Sequence, residues 1–149
     1  MIYLSTNGFG NFLGPRTDPF NACIPNPALP NALIAPFWTD LWINRPGGPA
    51  DSHVYTALLG DPGGQRFVIE YRNATFFGQP FTNVATFEMV LSESDNSITY
   101  QYNRTDGLGT GQGATVGIED EAGAIGLQFS CRQPVLSVGK AIHFFLRTR

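Results

Sequence analysis

Lysine occurs once, at Lys140, and histidine only twice, at His53 and His143. Charged residues of all kinds make up 14% of the 149-residue chain, against about a quarter in an average soluble domain. The net charge is −3 and the nine Lys and Arg are scattered. No basic patch is present for a nucleic acid, and no polybasic segment for docking on an anionic membrane. No apolar run approaches the ~18 residues that a membrane-spanning helix needs. The first residues, MIYLSTNGFG, lack the basic segment and apolar core of an export signal. If the protein is exported, this chain is therefore expected to be a mature fragment or an excised domain. Neither H-E-x-x-H nor G-x-S-x-G occurs. No stretch of convincing length carries helical periodicity.

What the chain has instead is a strand-forming diet. It holds twelve Phe, five Tyr, 17 Gly and 11 Pro, a mixture of β-formers and turn residues. Apolar and polar residues alternate in Ile98–Asn103, Arg66–Arg72, Thr86–Leu91 and Lys140–Leu146. Ile2–Ser5, Val54–Leu59, Ala114–Glu119 and Ile125–Ser130 are further strand candidates. Asp95-Asn96 and Asp120–Gly123 read as hairpin turns, Gly60–Gly64 as another break, and Thr105–Gly113 as a flexible loop. Successive short strands joined this way predict an all-β fold, an antiparallel β-sandwich or jelly roll, as a single domain over 1–149. Residues 15–30 carry five prolines and almost no periodicity, which predicts a long surface loop.

Cys23 and Cys131 lie far apart and lack the spacing of a metal site. Low charge and proline-flanked surroundings favour a disulfide between them; two buried thiols are the alternative.

The segment NALIAPFWTDLW, residues 31–42, is the most unusual in the chain. Extended backbone would put Asp40 on one face with Trp38 and Trp42. The first reading is a bent strand with aromatic rings filling the space between two sheets. Asp40 would tie the bend by accepting loop amide hydrogens. A calcium site with Asp40 and Asp51 is the alternative, although no D-x-D-x-D cluster supplies the oxygens. Trp42, Tyr55, Phe76, Phe77 and Phe81 are the candidate surface rings for a ligand or partner. Phe76–Phe81 is expected to be a loop. Glu119, Asp120 and Glu121 read as a solvated turn and His143 as a solvated position. Asn73-Ala-Thr75 and Asn103-Arg-Thr105 match the glycosylation sequon.

Ser5-Thr-Asn-Gly-Phe9, then Asn31-Ala-Leu-Ile-Ala-Pro-Phe-Trp-Thr-Asp-Leu41, then Ala114-Thr-Val-Gly-Ile-Glu119 with Gly126-Leu-Gln128, and finally Lys140-Ala-Ile-His-Phe144 resemble the signature of nidogen-type extracellular modules and their bacterial secreted or surface relatives. The resemblance runs in order over most of residues 3–146. It implies a non-catalytic β-sandwich, secreted or on the cell surface, without a cofactor. Members of that family carry one or two strands before the "S-N-G-F" segment. Their absence here would leave an open sheet edge able to accept a strand from a neighbour. The resulting expectation is adhesion, matrix or fibre assembly through protein contacts. Carbohydrate binding by an accessory domain is the first alternative and a secreted hydrolase the second.

Overall fold

A computed structural model describes residues 1–147, all but the last two of the expected 1–149 domain. The chain forms two antiparallel sheets with no α-helix among the described residues. The strands are β1 (Tyr3–Ser5), β2 (Phe9–Asn11), β3 (Leu33–Trp38), β4 (Leu41–Trp42), β5 (His53–Leu59), β6 (Arg66–Phe76), β7 (Val84–Ser92), β8 (Ile98–Asp106), β9 (Thr115–Glu119), β10 (Gly126–Cys131) and β11 (Ala141–Phe144). The smaller sheet runs β1-β2-β3-β9-β10. The larger runs β11-β8-β7-β6, and β4 and β5 share the remaining edge of β6, β4 opposite Thr75–Phe76 and β5 opposite Arg66–Arg72.

The alternating residues pack as their period demands. Ile69, Tyr71, Phe87, Met89, Tyr100 and Tyr102 are buried on the inner face of the larger sheet. Tyr71 stacks on Phe87 with centroids 4.9 Å apart, and Phe87 on Phe37 at 5.2 Å. The three buried tyrosines also cross the gap between the sheets. Tyr71 Oη donates to the Ser5 carbonyl at 2.6 Å, Tyr100 to Gly117 at 2.9 Å and Tyr102 to Pro36 at 2.7 Å. Burial pushes all three phenols above their ordinary range.

Two bulges keep apolar side chains in phase. In β3 the pairing with β9 skips between Ala35 and Trp38. The extra residue includes Pro36, which has no N–H for a ladder, and Phe37 is turned inward. In β6 the skip between Tyr71 and Ala74 puts Asn73 at φ 48° and returns Ala74 and Phe76 to the core. After Trp38 the chain turns at Thr39–Asp40 and enters the other sheet as β4. The unusual segment is therefore a crossing from one sheet to the other, sharper than a bend within one strand.

The proline-rich stretch is a cover as well as a loop. Ile24 packs with Phe9, Leu33, Ala35 and Trp38 in a second core on the outer face of the smaller sheet. Trp38 thus lies outside the space between the sheets, contrary to the sequence-based expectation, and Phe37 occupies that space. The Cys23–Cys131 disulfide joins the loop to β10, with Cα atoms 5.4 Å apart. Asn26 N–H donates to Glu119 Oε1 at 2.7 Å, and Ile24 N–H to Gln128 Oε1 at 2.8 Å. Glu119 is 8% exposed and anchors the loop, so the expected solvated turn is corrected there. The Thr105–Gly113 region is also more ordered than expected: β8 runs to Asp106 and a 3-10 turn follows over Gly107–Thr110.

Candidate interaction surface

The proline-rich loop covers part of the outer face of the smaller sheet, while Leu127 and Phe129 of β10 stay exposed at its edge; the exposed aromatic cluster lies on the larger sheet and its loops. β4 alternates within two residues: Leu41 is buried and Trp42 is 37% exposed. At the paired end of β6 the same alternation buries Phe76 and exposes Phe77. Phe76 is therefore a core residue touching Phe37, and its proposed place on a binding surface is corrected.

Trp42 and Phe77 stack at 5.4 Å with an angle of 23° between their planes. Phe81 joins them through Arg45. The Arg45 guanidinium lies 4.3 Å from the Phe81 centroid and 5.2 Å from that of Trp42. Its Nη1 donates to the Gln79 carbonyl at 2.6 Å and to Phe76 at 3.4 Å. A Cβ at Gly48 would come within 3.1 Å of the Phe81 ring, so glycine lets that ring lie against the loop. Three rings and one cation are thereby set in place before any partner arrives.

Tyr55 lies in a separate network one strand further along the edge. Its hydroxyl donates to Asp51 Oδ1 at 2.6 Å, and Arg72 Nη1 donates to Asp51 Oδ2 at 3.1 Å. Arg72 also makes a two-point contact with Glu70, at 2.7 and 3.2 Å, and lies over the Tyr55 ring at 4.7 Å. The Tyr55 hydroxyl, then Arg72, hold the Asp51 carboxyl below its ordinary range. Asp51 is thus committed on both oxygens to side chains.

Asp40 has no such company. Among the described residues no hydrogen bond reaches its carboxylate, and burial alone raises its pKa. The bend is tied by Asn7 instead. Its side-chain oxygen accepts from Leu41 N–H at 3.1 Å, its amide donates to the Thr17 carbonyl, and its own carbonyl accepts from Thr39 N–H at 3.1 Å. The described residues contain no group of three or more His, Cys, Asp and Glu placed to hold a metal ion.

The outer face of the larger sheet carries a polar row that the sequence reading did not single out as a site. Glu70 faces Glu88 across β6 and β7, and Glu88 faces Gln101 across β8. A groove of about 400 Å³ beside them includes Thr86, Asn103 and Lys140. Burial, and then Glu70, push the Glu88 carboxyl upward. Asn73 and Asn103 lie near this face: Asn73 Oδ1 accepts from Arg104 at 3.1 Å, while Asn103 is exposed.

A family model described as NIDO related matches residues 1–144. The chain belongs to the NIDO-related family. Neither the curated proteins nor the solved structures gave a match to it. The NIDO-related match bears out the resemblance to nidogen-like domains, and the two-sheet architecture bears out the expected sandwich. Together with the disulfide, family membership suggests an extracellular module. Within this NIDO-related domain, three of the five nominated rings, Trp42, Phe77 and Phe81, come together. Their organiser, Arg45, was missed because Phe76, Gln79 and Phe81, which fix it over Trp42, lie over thirty residues away in sequence.

Proposed function

We propose that this NIDO-related domain is a non-catalytic extracellular module that adheres or assembles by protein–protein contact, with Trp42, Arg45, Phe77 and Phe81 as its contact patch. The observation that carries this reading is the pinned arginine between exposed rings. Aromatic residues and arginine are enriched at the cores of protein interfaces, and side chains fixed in advance lose less entropy on binding. Strand addition at an exposed edge is the finer form of the reading. Its support is that β1 ends the smaller sheet after three residues, while Leu58 of β5, in register with inward-facing Phe67, is 61% exposed.

The test is immobilised domain challenged with purified extracellular matrix proteins, with itself, and with a glycan array. A protein ligand whose affinity falls at least tenfold in Trp42→Ala/Phe77→Ala, with an unchanged melting temperature, supports the proposal. Binding confined to glycans would replace it with the carbohydrate reading, for which the polar groove at Glu88, Gln101 and Asn103 is the relevant observation. Calcium enters only as a variable in this assay: loss of binding with chelator, restored by calcium, would assign Asp40 or Asp51 a metal role.

A further inference from the structure

We propose that two copies of this chain associate as a closed pair, the segment Phe145–Arg147 of each seating in the apolar groove between the sheet ends of the other. That groove has a volume of about 410 Å³. Phe12, Ile34, Ile98, Ile118, Ile125 and Leu127 line it, and Asp120 and Glu121 stand at its rim, the Glu119 carboxylate being held by Asn26 N–H of the proline-rich loop. Ile125 is 73% exposed and Leu127 60%, although both lie on or beside β10 and face an apolar hollow.

The occupant is argued from complementarity. A groove with apolar walls and an acidic rim fits a segment with apolar anchors followed by positive charge. The residues after β11 have that order. Phe145 is 64% exposed and Leu146 73%, Arg147 follows on the surface, and the sequence continues with Thr148-Arg149. Glu121 is the exposed acid of the rim, and its carboxylate has no hydrogen-bond or ion-pair partner among the described residues.

Placement favours a two-fold pair. Phe144 is in register with Ile98, which lines the groove. The donor segment therefore leaves the fold at the lip of its own acceptor. When donor and acceptor lie side by side at one end of a molecule, two copies can exchange segments reciprocally and close, whereas sites at opposite ends would build open chains. This end is also remote from the aromatic patch. Ile98 opens β8 where β7 finishes, while Phe77 follows β6 where β7 begins. The pairing does not rest on the adhesive role of that patch, and a pair formed here would leave both patches free.

Sedimentation velocity on the full chain, from low to high micromolar concentration, tests the pairing. The expected result is a monomer–dimer equilibrium without larger species. Leu146→Asp removes the apolar anchor, and Leu127→Glu blocks the groove, with Ile125→Glu as a second groove variant. Each is at an exposed position, and near-ultraviolet dichroism checks its fold. Each alone is expected to dimerise at least tenfold more weakly. An equimolar mixture of Leu146→Asp with Leu127→Glu is expected to recover part of the dimer, because one intact segment still meets one intact groove. Glu121→Lys is expected to weaken the pair, and Arg147→Glu on the same chain to restore it. Wild-type chain that stays monomeric throughout overturns the proposal. So does a dimer indifferent to these substitutions, and so does a monomer in which Leu146→Asp raises amide exchange at Leu127, which would place the segment in its own groove.

Discussion

Asn7 and Asp40 both sit at the crossing between the sheets, and their environments are opposite. Asn7 is 6% exposed, and its side chain serves Leu41 N–H and the Thr17 carbonyl at once. Removing it leaves the buried Leu41 N–H without a partner, while the Thr17 carbonyl lies on an exposed residue within reach of water. Asn7→Ala is expected to cost about 1–3 kcal/mol, read as a lower urea midpoint at unchanged slope. Asp40 has burial without partners, and its pKa is raised accordingly. The folded chain therefore holds that proton more tightly than the unfolded chain does. The resulting penalty is absent where both states are protonated, and it develops as pH rises above the ordinary carboxylate value of about 4. Asp40→Asn is expected to leave stability unchanged in acid and to raise it at neutral pH, measured by urea titration at each pH. The opposite trend, with stability lost at neutral pH, would restore Asp40 as the tie. An acid between two tryptophans stands out in a sequence, whereas an asparagine inside Ser-Thr-Asn-Gly-Phe does not. Nothing local shows that Asn7 will meet residues 34 positions away.

At the level of elements, the larger sheet is fastened to the smaller by tyrosines as well as by apolar contact. Tyr71, Tyr100 and Tyr102 each bury a ring on one sheet and donate to a carbonyl of the other. Changing any one to Phe keeps the ring and removes one buried hydrogen bond between the sheets, with an expected loss of about 1 kcal/mol. The wild type is also expected to destabilise above pH about 10, because the unfolded chain releases phenol protons that the folded chain retains. Each Tyr→Phe variant should soften that alkaline transition, followed by dichroism against pH. These strands were legible because Ile98, Tyr100 and Tyr102 alternate cleanly, as do Phe67, Ile69 and Tyr71; the hairpins at Asp95-Asn96 and Asp120–Gly123 were legible from their turn residues. β2 and β4 were not, since three and two residues are too few to show a period. The packing of the proline-rich loop was hidden for another reason. Its anchors are amide and carboxylate contacts to Glu119, Gln128 and Trp38, residues that only the folded chain brings near. Of the surface rings, composition and loop position picked out Trp42, Phe77 and Phe81, but it could not tell them from Phe76, whose burial depends on the phase set by a bulge.

The whole molecule is unequally covered. The smaller sheet has the larger sheet on one face and the proline-rich loop over part of the other, with the β10 end left open beside the apolar groove; the larger sheet has an open outer face and carries the aromatic patch at one end. This asymmetry separates what holds the fold from what is available to bind. The disulfide belongs to the first group. It joins residues 108 apart in sequence, and in the loop-entropy account such a link contributes up to about 4–5 kcal/mol. That is a large part of the roughly 5–15 kcal/mol that typical domains have in total. Cys23→Ala/Cys131→Ala is therefore expected to melt far below the wild type, and limited proteolysis should cut first within residues 15–30. The loop retains its contacts to Glu119 and Gln128, so the variant should still fold at low temperature. Among the described residues, the hydrogen bonds and ring contacts of Trp42, Arg45, Phe77 and Phe81 involve neither residues 15–30 nor Cys131, and their mutual distances are set by β4, β6 and their own turns. Binding through that patch should then survive loss of the disulfide, once measured well below the lowered melting point. If affinity instead fell together with stability at such a temperature, the contact surface would have to include the covered sheet, and the division between scaffold and surface would fail.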